Sequence, residues 1–192
     1  MQDEIAAVIA DVETECRRRE IPMIGPQKAA FLVKLIREAR PERVLEIGTA
    51  IGYSGLWIAH TLEELDTGRL VTIEQDAGRA AEAVRAFRRA GLEQRVTQLV
   101  GDARELVKTV EGPVDFLFLD GGFANYHPCF LGVRPRLRAG ALLVADNAGI
   151  GADEMADYLA HVRQHYLSRT EWFDTDLPWN PRDAMEVSIY HG

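Results

Sequence analysis

Residues 44–59 read Val44-Leu45-Glu46-Ile47-Gly48-Thr49-Ala50-Ile51-Gly52-Tyr53-Ser54-Gly55-Leu56-Trp57-Ile58-Ala59, an apolar run that halts at glycines and gives way to a helical pattern. The reading is strand, tight turn, helix. Val44, Leu45 and Ile47 suit a buried parallel strand, and Gly48, Gly52 and Gly55 allow close backbone approach where the chain swings into a helix starting near Tyr53. A ligand can sit against such a turn.

The acid and the glycine spacing narrow the ligand. A dinucleotide fingerprint would place G-x-G-x-x-G here, laying a pyrophosphate on the helix N-terminus. This chain has Glu46 followed by Gly48-x-x-x-Gly52-x-x-Gly55, with Ala50 where the paired glycine would stand. A carboxylate beside the turn repels a pyrophosphate and suits a cation such as an ammonium or a sulfonium. The arrangement resembles the first motif of S-adenosylmethionine-dependent methyltransferases. The wording Glu46-Ile-Gly-Thr-x-x-Gly-Tyr53-Ser54 is similar to the cation-dependent O-methyltransferases of the catechol and caffeoyl-CoA type. The resemblance implies that Glu46, Gly48, Tyr53 and Ser54 contact S-adenosyl-L-methionine; a glycine-rich turn in an unrelated α/β protein is the alternative.

The 192 residues are 47% hydrophobic, enough for one domain, residues 1–192, burying roughly 70% of its unfolded surface. Acidic residues outnumber basic ones 30 to 22, a formal charge of −8, which argues against a nucleic-acid or anionic-membrane footprint. Cys16 and Cys129 lie far apart with no metal-ligand spacing, which points to a reducing compartment. No apolar run reaches about 18 residues, so the expectation is a soluble, cytoplasmic protein.

Taken in order, residues 2–18 place Ile5, Val8, Ile9, Val12 and Cys16 at helical spacing. An irregular link over 21–25 precedes a helix with Pro26 near its start, and Pro41 ends it. After the opening motif come a strand over 70–74, a helix over 76–90 capped by Asp76, a strand over 96–100, a short helix around Leu106, and a strand over 114–119. A helix over 126–138, a strand over 141–145 and a helix over 152–167 follow. Strands over 171–176 and 186–190 close the chain as a hairpin. Repeated β-α units give an α/β, doubly wound, mostly parallel sheet with ligands at the carboxyl ends of its strands. The resemblance sharpens this to a Rossmann-like class I methyltransferase fold with a seven-stranded sheet and a C-terminal antiparallel hairpin.

Acids gather at the strand ends: Glu46, Glu74, Asp102, Asp120 and Asp146-Asn147. Glu74, 26 residues past Gly48, can accept both hydroxyl hydrogens of an adenosine ribose. By resemblance, Asp102 in Gly-Asp-Ala103 bonds the adenine amino group and Ala103 lies beside it, although an Asp before a helix also serves as an N-cap. Asp120, Asp146 and Asn147 make an all-oxygen set suited to Mg²⁺. The wording Phe-Leu-Asp120 and Val-Ala-Asp146-Asn147 resembles the family's metal triad, which also sets Asp120 beside the cofactor and the reacting atoms; turn capping is the structural alternative.

The chain departs from the family in two places. Phe123 stands where a lysine usually acts on the substrate hydroxyl, with Tyr126 still in register, and Ala148 follows Asn147 without the frequent tryptophan nearby. His127 is then the candidate proton acceptor, with Tyr126 beside it, and Trp172 and Trp179 are candidate walls for a planar acceptor. The leading expectation is a divalent-metal-assisted O-methyltransferase acting on a small, hydroxylated, catechol-like acceptor, with a second subunit as a means of completing the substrate side. A cofactor-binding protein with lost or altered turnover, and a metal-independent methyltransferase on another acceptor, are the competing readings.

Overall fold

The computed structural model describes residues 2–177 and 180–192. Its centre is β1 (Arg43–Ile47), whose Val44, Leu45 and Ile47 are almost wholly removed from water, each contributing about 1.5–3 kcal/mol by burial. β1 pairs in parallel with β2 (Arg69–Glu74) on one side and β4 (Val114–Leu119) on the other. β3 (Val96–Val100) extends the sheet beyond β2, and β5 (Leu137–Ala145) extends it beyond β4. The final pair, β6 (Leu167–Leu177) and β7 (Asn180–Ile189), is antiparallel, and β7 inserts between β5 and β6. The order is β3-β2-β1-β4-β5-β7-β6, so the strand order reverses between β1 and β4, the place where such sheets bind ligands.

Helices cover both faces. α1 (Gln2–Arg19), α2 (Gly25–Ala39), α3 (Tyr53–Glu64) and α4 (Ala77–Arg89) enclose one apolar cluster. α5 (Ala103–Leu106), α6 (Tyr126–Val133) and α7 (Ala156–His165) enclose the other. Their limits have local causes. Asp76 caps α4 by accepting the Arg79 N–H at 2.7 Å, and Arg40, in the left-handed region at φ 46°, ends α2 just before Pro41.

Five elements differ from the expected bounds. α6, expected over 126–138, ends at Val133 because a separate tight turn, Arg134–Arg136 with Pro135 within it, intervenes before β5. β5 begins at Leu137 because the register with β4 shifts between Val114 and Phe116, letting β5 absorb extra residues around Gly140. α7 begins only at Ala156 because the preceding loop is drawn toward β7, with Asp183 accepting the Gly149 and Ile150 N–H groups. β6 and β7 pair from Leu167↔Ile189 to Leu177↔Asn180, well beyond the expected hairpin. The extension is hard to read because β6 is an edge strand with few apolar positions turned inward; Leu167 and Trp172 are 68% and 50% exposed.

Candidate active site

The carboxyl ends of β1, β2, β3 and β4 surround a cavity of about 400 Å³, lined by Gly48, Ala50, Glu74, Gly101, Ala103, Asp120, Phe123, Asn125 and neighbours, with Pro22 on its rim. Its floor exists because two turns meet backbone to backbone. A Cβ on Gly48, whose φ is +99°, would lie 2.2 Å from the Asp120 carbonyl oxygen, closer than any side chain tolerates. The Asp120 N–H meanwhile donates to the Ile47 carbonyl at 2.8 Å, prolonging the β1–β4 ladder into the site.

Glu74 is held in place by the backbone. One carboxylate oxygen accepts the Ala50 N–H at 2.7 Å and the other the Asp76 N–H at 2.9 Å, while the side chain lines the cavity. The Ala50 contact also accounts for the missing glycine. Ala50 takes φ +47°, a left-handed conformation that costs an ordinary residue roughly 1–2 kcal/mol, and the Glu74 carboxylate anchors it there.

Glu46 is placed differently. Alternation along β1 sends Leu45 and Ile47 to one face and Val44 and Glu46 to the other, so Glu46 lies buried under α3 and is not among the residues lining the cavity. It accepts the Ser54 and Thr72 hydroxyls, each at 2.6 Å. Burial drives its carboxyl up to about 7, against the pull of these two donors. Ser54 is thereby committed to Glu46, and Tyr53 to α1, where its hydroxyl donates to Glu13 at 3.1 Å. Asp102 caps α5 and grips the Arg104 guanidinium, a partner that holds its carboxyl at about 2. Its neighbours Gly101 and Ala103 line the cavity and Asp102 does not.

Asp120, Asp146 and Asn147 do gather at the next strand ends, joined by two residues that the pattern of motifs missed. Lys28 of α2 reaches both Asp146 and Asp183, with its Nζ 2.5 Å from each carboxylate. Burial and then the Lys28 charge oppose each other at Asp146, and burial prevails, raising its carboxyl to about 6. Asp183 is also buried, but the Lys28 ammonium and the Ile150 N–H hold it low. Asp120 has no hydrogen bond to its carboxylate among the described residues, and burial followed by the Asp146 charge pushes it well above the usual range. Lys28 could have been found: with Leu32 and Leu35 it falls on the i, i+4, i+7 stripe that α2 turns inward. Asp183 was hidden because β7 starts six residues before the strand expected there.

No three His, Cys, Asp or Glu side chains form a cation cage among the described residues. The fit to a divalent ion rests instead on two carboxylates and one amide. Asn147 donates its Nδ2 to Asp183 at 2.9 Å; because a carboxylate only accepts, the amide orientation is fixed and its oxygen is left for another partner. Three aspartates face one lysine, so full ionisation would leave two negative charges unmatched, and Asp120 lacks a donor among the described residues. One hard divalent cation would satisfy both.

The proton-acceptor candidates lie elsewhere. His127 turns toward α7, with Nδ1 3.2 Å from Asp157 and Nε2 3.3 Å from His161, and it does not line the cavity. Tyr126 is buried edge-on between Phe123 and Tyr158, and its hydroxyl has no partner and is pushed far up by burial and then by Asp120. Phe123 lines the cavity and rests on Gly151, where a Cβ would come within 2.8 Å of its ring. Trp172 lies over Gly149 beneath the Arg182 guanidinium and lines none of the cavities described; Trp179 lies outside the described residues. A second cavity of about 610 Å³ opens between the end of α1, the link 20–24, the start of α2 and Asp174 of β6. It shares Pro22 with the first cavity and reaches Lys28.

A glycine turn at the reversal of strand order, backed by an anchored carboxylate at the end of β2, places a cavity where doubly wound α/β folds bind their ligands. The family described as a methyltransferase domain matches residues 45–148. The catechol O-methyltransferase of Sus scrofa is 32% identical over 88% of this chain and 93% of its own length. Catechol O-methyltransferase B of Danio rerio is 30% identical over 97% of this chain and 72% of its own. The chain belongs to the S-adenosylmethionine-dependent O-methyltransferases and resembles the catechol O-methyltransferases among them. In fold it matches the O-methyltransferase TomG from Streptomyces achromogenes, solved in complex with SAM, with a TM-score of 0.86 and 23% identity over 96% of this chain and 90% of that one.

Proposed function

We propose that the chain transfers the sulfonium methyl of S-adenosylmethionine to a hydroxyl of a small vicinal dihydroxy aromatic acceptor, assisted by a divalent cation, Mg²⁺, at Asp120, Asp146 and Asn147. The observation carrying this reading is a group of oxygen ligands at the cavity: Asp120 and Asn147 line it, Asp146 stands between them at the end of β5, and the Asp120 carboxylate receives no hydrogen bond among the described residues. Glu74, held by two backbone N–H groups, would take the ribose hydroxyls. The apolar walls of the second cavity, Ile21, Pro22, Met23 and Ile24, suit the acceptor ring. In the transfer the sulfur–methyl bond breaks as the oxygen–methyl bond forms, the sulfur leaves as a neutral thioether, and the hydroxyl proton passes to solvent water. The chain's part is to hold sulfur, methyl and oxygen in line. The cation, when bound, supplies orientation of the two acceptor oxygens and a lowered hydroxyl pKa.

Conversion of the cofactor to its demethylated product, with catechol as probe and with or without chelator, tests this. Asp120→Ala is expected to abolish divalent-ion binding and turnover while leaving cofactor affinity within a few fold. Activity that survives both the substitution and the chelator removes the cation from the mechanism. Phe123 in the place of the family lysine favours a second reading, a cofactor-binding protein with altered turnover. Tight cofactor binding with no turnover on any hydroxylated aromatic would support it.

A further inference from the structure

Lys28 is almost wholly buried, at 4% exposure, with its ammonium between two aspartates that are each 2% exposed. A lysine is kept from water at such depth only when its charge is matched closely. Its partners do not have equal tasks. Asp183 accepts hydrogen bonds from Lys28, from the Asn147 amide at 2.9 Å, and from the Gly149 and Ile150 N–H groups at 3.2 and 2.9 Å, so its oxygens are fully engaged within the protein. Among the described residues, Asp146 gives Oδ1 to Lys28 and accepts, besides that, only the Asn147 backbone N–H, so its carboxylate has fewer partners than that of Asp183. Asn147 sits in the left-handed region at φ 58°, a conformation that its Asp183 contact and the neighbouring loop hydrogen bonds secure.

We propose that the Lys28 ammonium is a resident monovalent cation that builds the divalent-ion site, a positioning residue acting through Asp146 and, by way of Asp183, through Asn147. It removes one oxygen of Asp146 from the candidate coordination sphere. It neutralises Asp183, so that this carboxylate can orient the Asn147 amide oxygen without competing for the ion. Because Lys28 lies one turn into α2, just after the link that walls both cavities, it also ties the acceptor wall to the ion site. The proposal rests on the metal-assisted reading above.

The test is Mn²⁺ binding by calorimetry and electron paramagnetic resonance in the full chain, with thermal unfolding in parallel. Lys28→Ala removes the ammonium and most of its stem, leaving a slot that a propylammonium ion can enter. Mn²⁺ affinity is expected to fall at least tenfold, cofactor affinity to stay within threefold, and added propylammonium to recover most of the loss where tetramethylammonium at equal ionic strength does not. Mn²⁺ affinity within threefold of the parent, or tighter, overturns the role of Lys28 while leaving the metal reading intact. A parent chain that binds no Mn²⁺ in an Asp120-dependent manner overturns that reading and this proposal with it. Should Lys28→Ala not fold, Lys28→Met combined with Asp183→Asn removes both charges at nearly constant volume. A tenfold loss of Mn²⁺ affinity in that pair supports the proposal, and parental affinity overturns it.

Discussion

Glu46 and Glu74 project from the same face of the sheet, Glu46 level with Thr72 and Glu74 two residues further on, and depth along the strands separates them: Glu46 lies beneath α3 and Glu74 at the strand end, beside the cavity. Glu74 ends its strand and is aimed by the Ala50 and Asp76 N–H groups. Removing it in Glu74→Ala should weaken cofactor binding by roughly 1.5–3 kcal/mol, a factor of about 10–150, without unfolding the domain. Titration calorimetry with unchanged affinity would withdraw the ribose role. Glu46, buried beneath α3, holds its proton up to about 7 in the folded chain against 4.5 as its ordinary value. A raised carboxyl favours the folded state most fully below pH 4.5, and this contribution, about 3 kcal/mol, is lost as pH rises through 7. Urea titrations at pH 5 and pH 8 should show the parent losing stability across this window relative to Glu46→Gln; parallel behaviour would mean that the buried carboxyl titrates normally. The opening motif is legible as a strand-turn-helix unit, whereas the burial of Glu46 beneath α3 depends on its place along β1 and on the packing of α3, which the motif's wording does not carry.

At the level of elements, β1 and β4 were readable to within a residue because buried parallel strands are near-continuous apolar runs, and the edge strand β3, only partly buried, was readable from its β-branched ends and the Gly101 that stops it. The later elements were less legible. β6 carries alternating polar residues on an exposed edge, and α7 is shortened by hydrogen bonds from a strand that follows it in sequence. His127 illustrates the same limit: its place in the sequence is close to Asp120, yet α6 turns it toward Asp157 and His161. The contact between the β1 and β4 turns gives a sharper expectation. Gly48→Ala meets backbone at 2.2 Å, whereas Gly91→Ala, at φ +68°, meets nothing within 4 Å. The second should cost only the left-handed strain of about 1 kcal/mol. The first should cost about 3 kcal/mol or more, lowering the melting temperature by roughly 6–12 °C. Equal melting temperatures for the two variants would remove the close approach as the reason for glycine at 48.

Across the whole molecule, one sheet carries both the cavity at the ends of β1 and β2 and the acids Asp120 and Asp146 at the ends of β4 and β5. A ligand that binds only this assembled sheet should stabilise all of it. S-adenosylmethionine at 100 times its dissociation constant should add about 2.7 kcal/mol, raising the melting temperature by roughly 5–11 °C, and Glu74→Ala should forfeit most of that rise at the same concentration. A scan showing no shift for the parent would place the cofactor elsewhere. The insertion of β7 between β5 and β6 carries a consequence for how the chain is made. Lys28 precedes Asp183 by 155 residues, an interval of roughly 8–30 s at a synthesis rate of about 5–20 residues per second. Throughout that interval α2 can form and β1 to β5 can pair, while the edge of β5 that β7 will occupy stays open. The nascent chain therefore completes its glycine turn early and the Lys28–Asp146–Asp183 cluster last, with a lysine destined for burial kept in water until β7 closes over it.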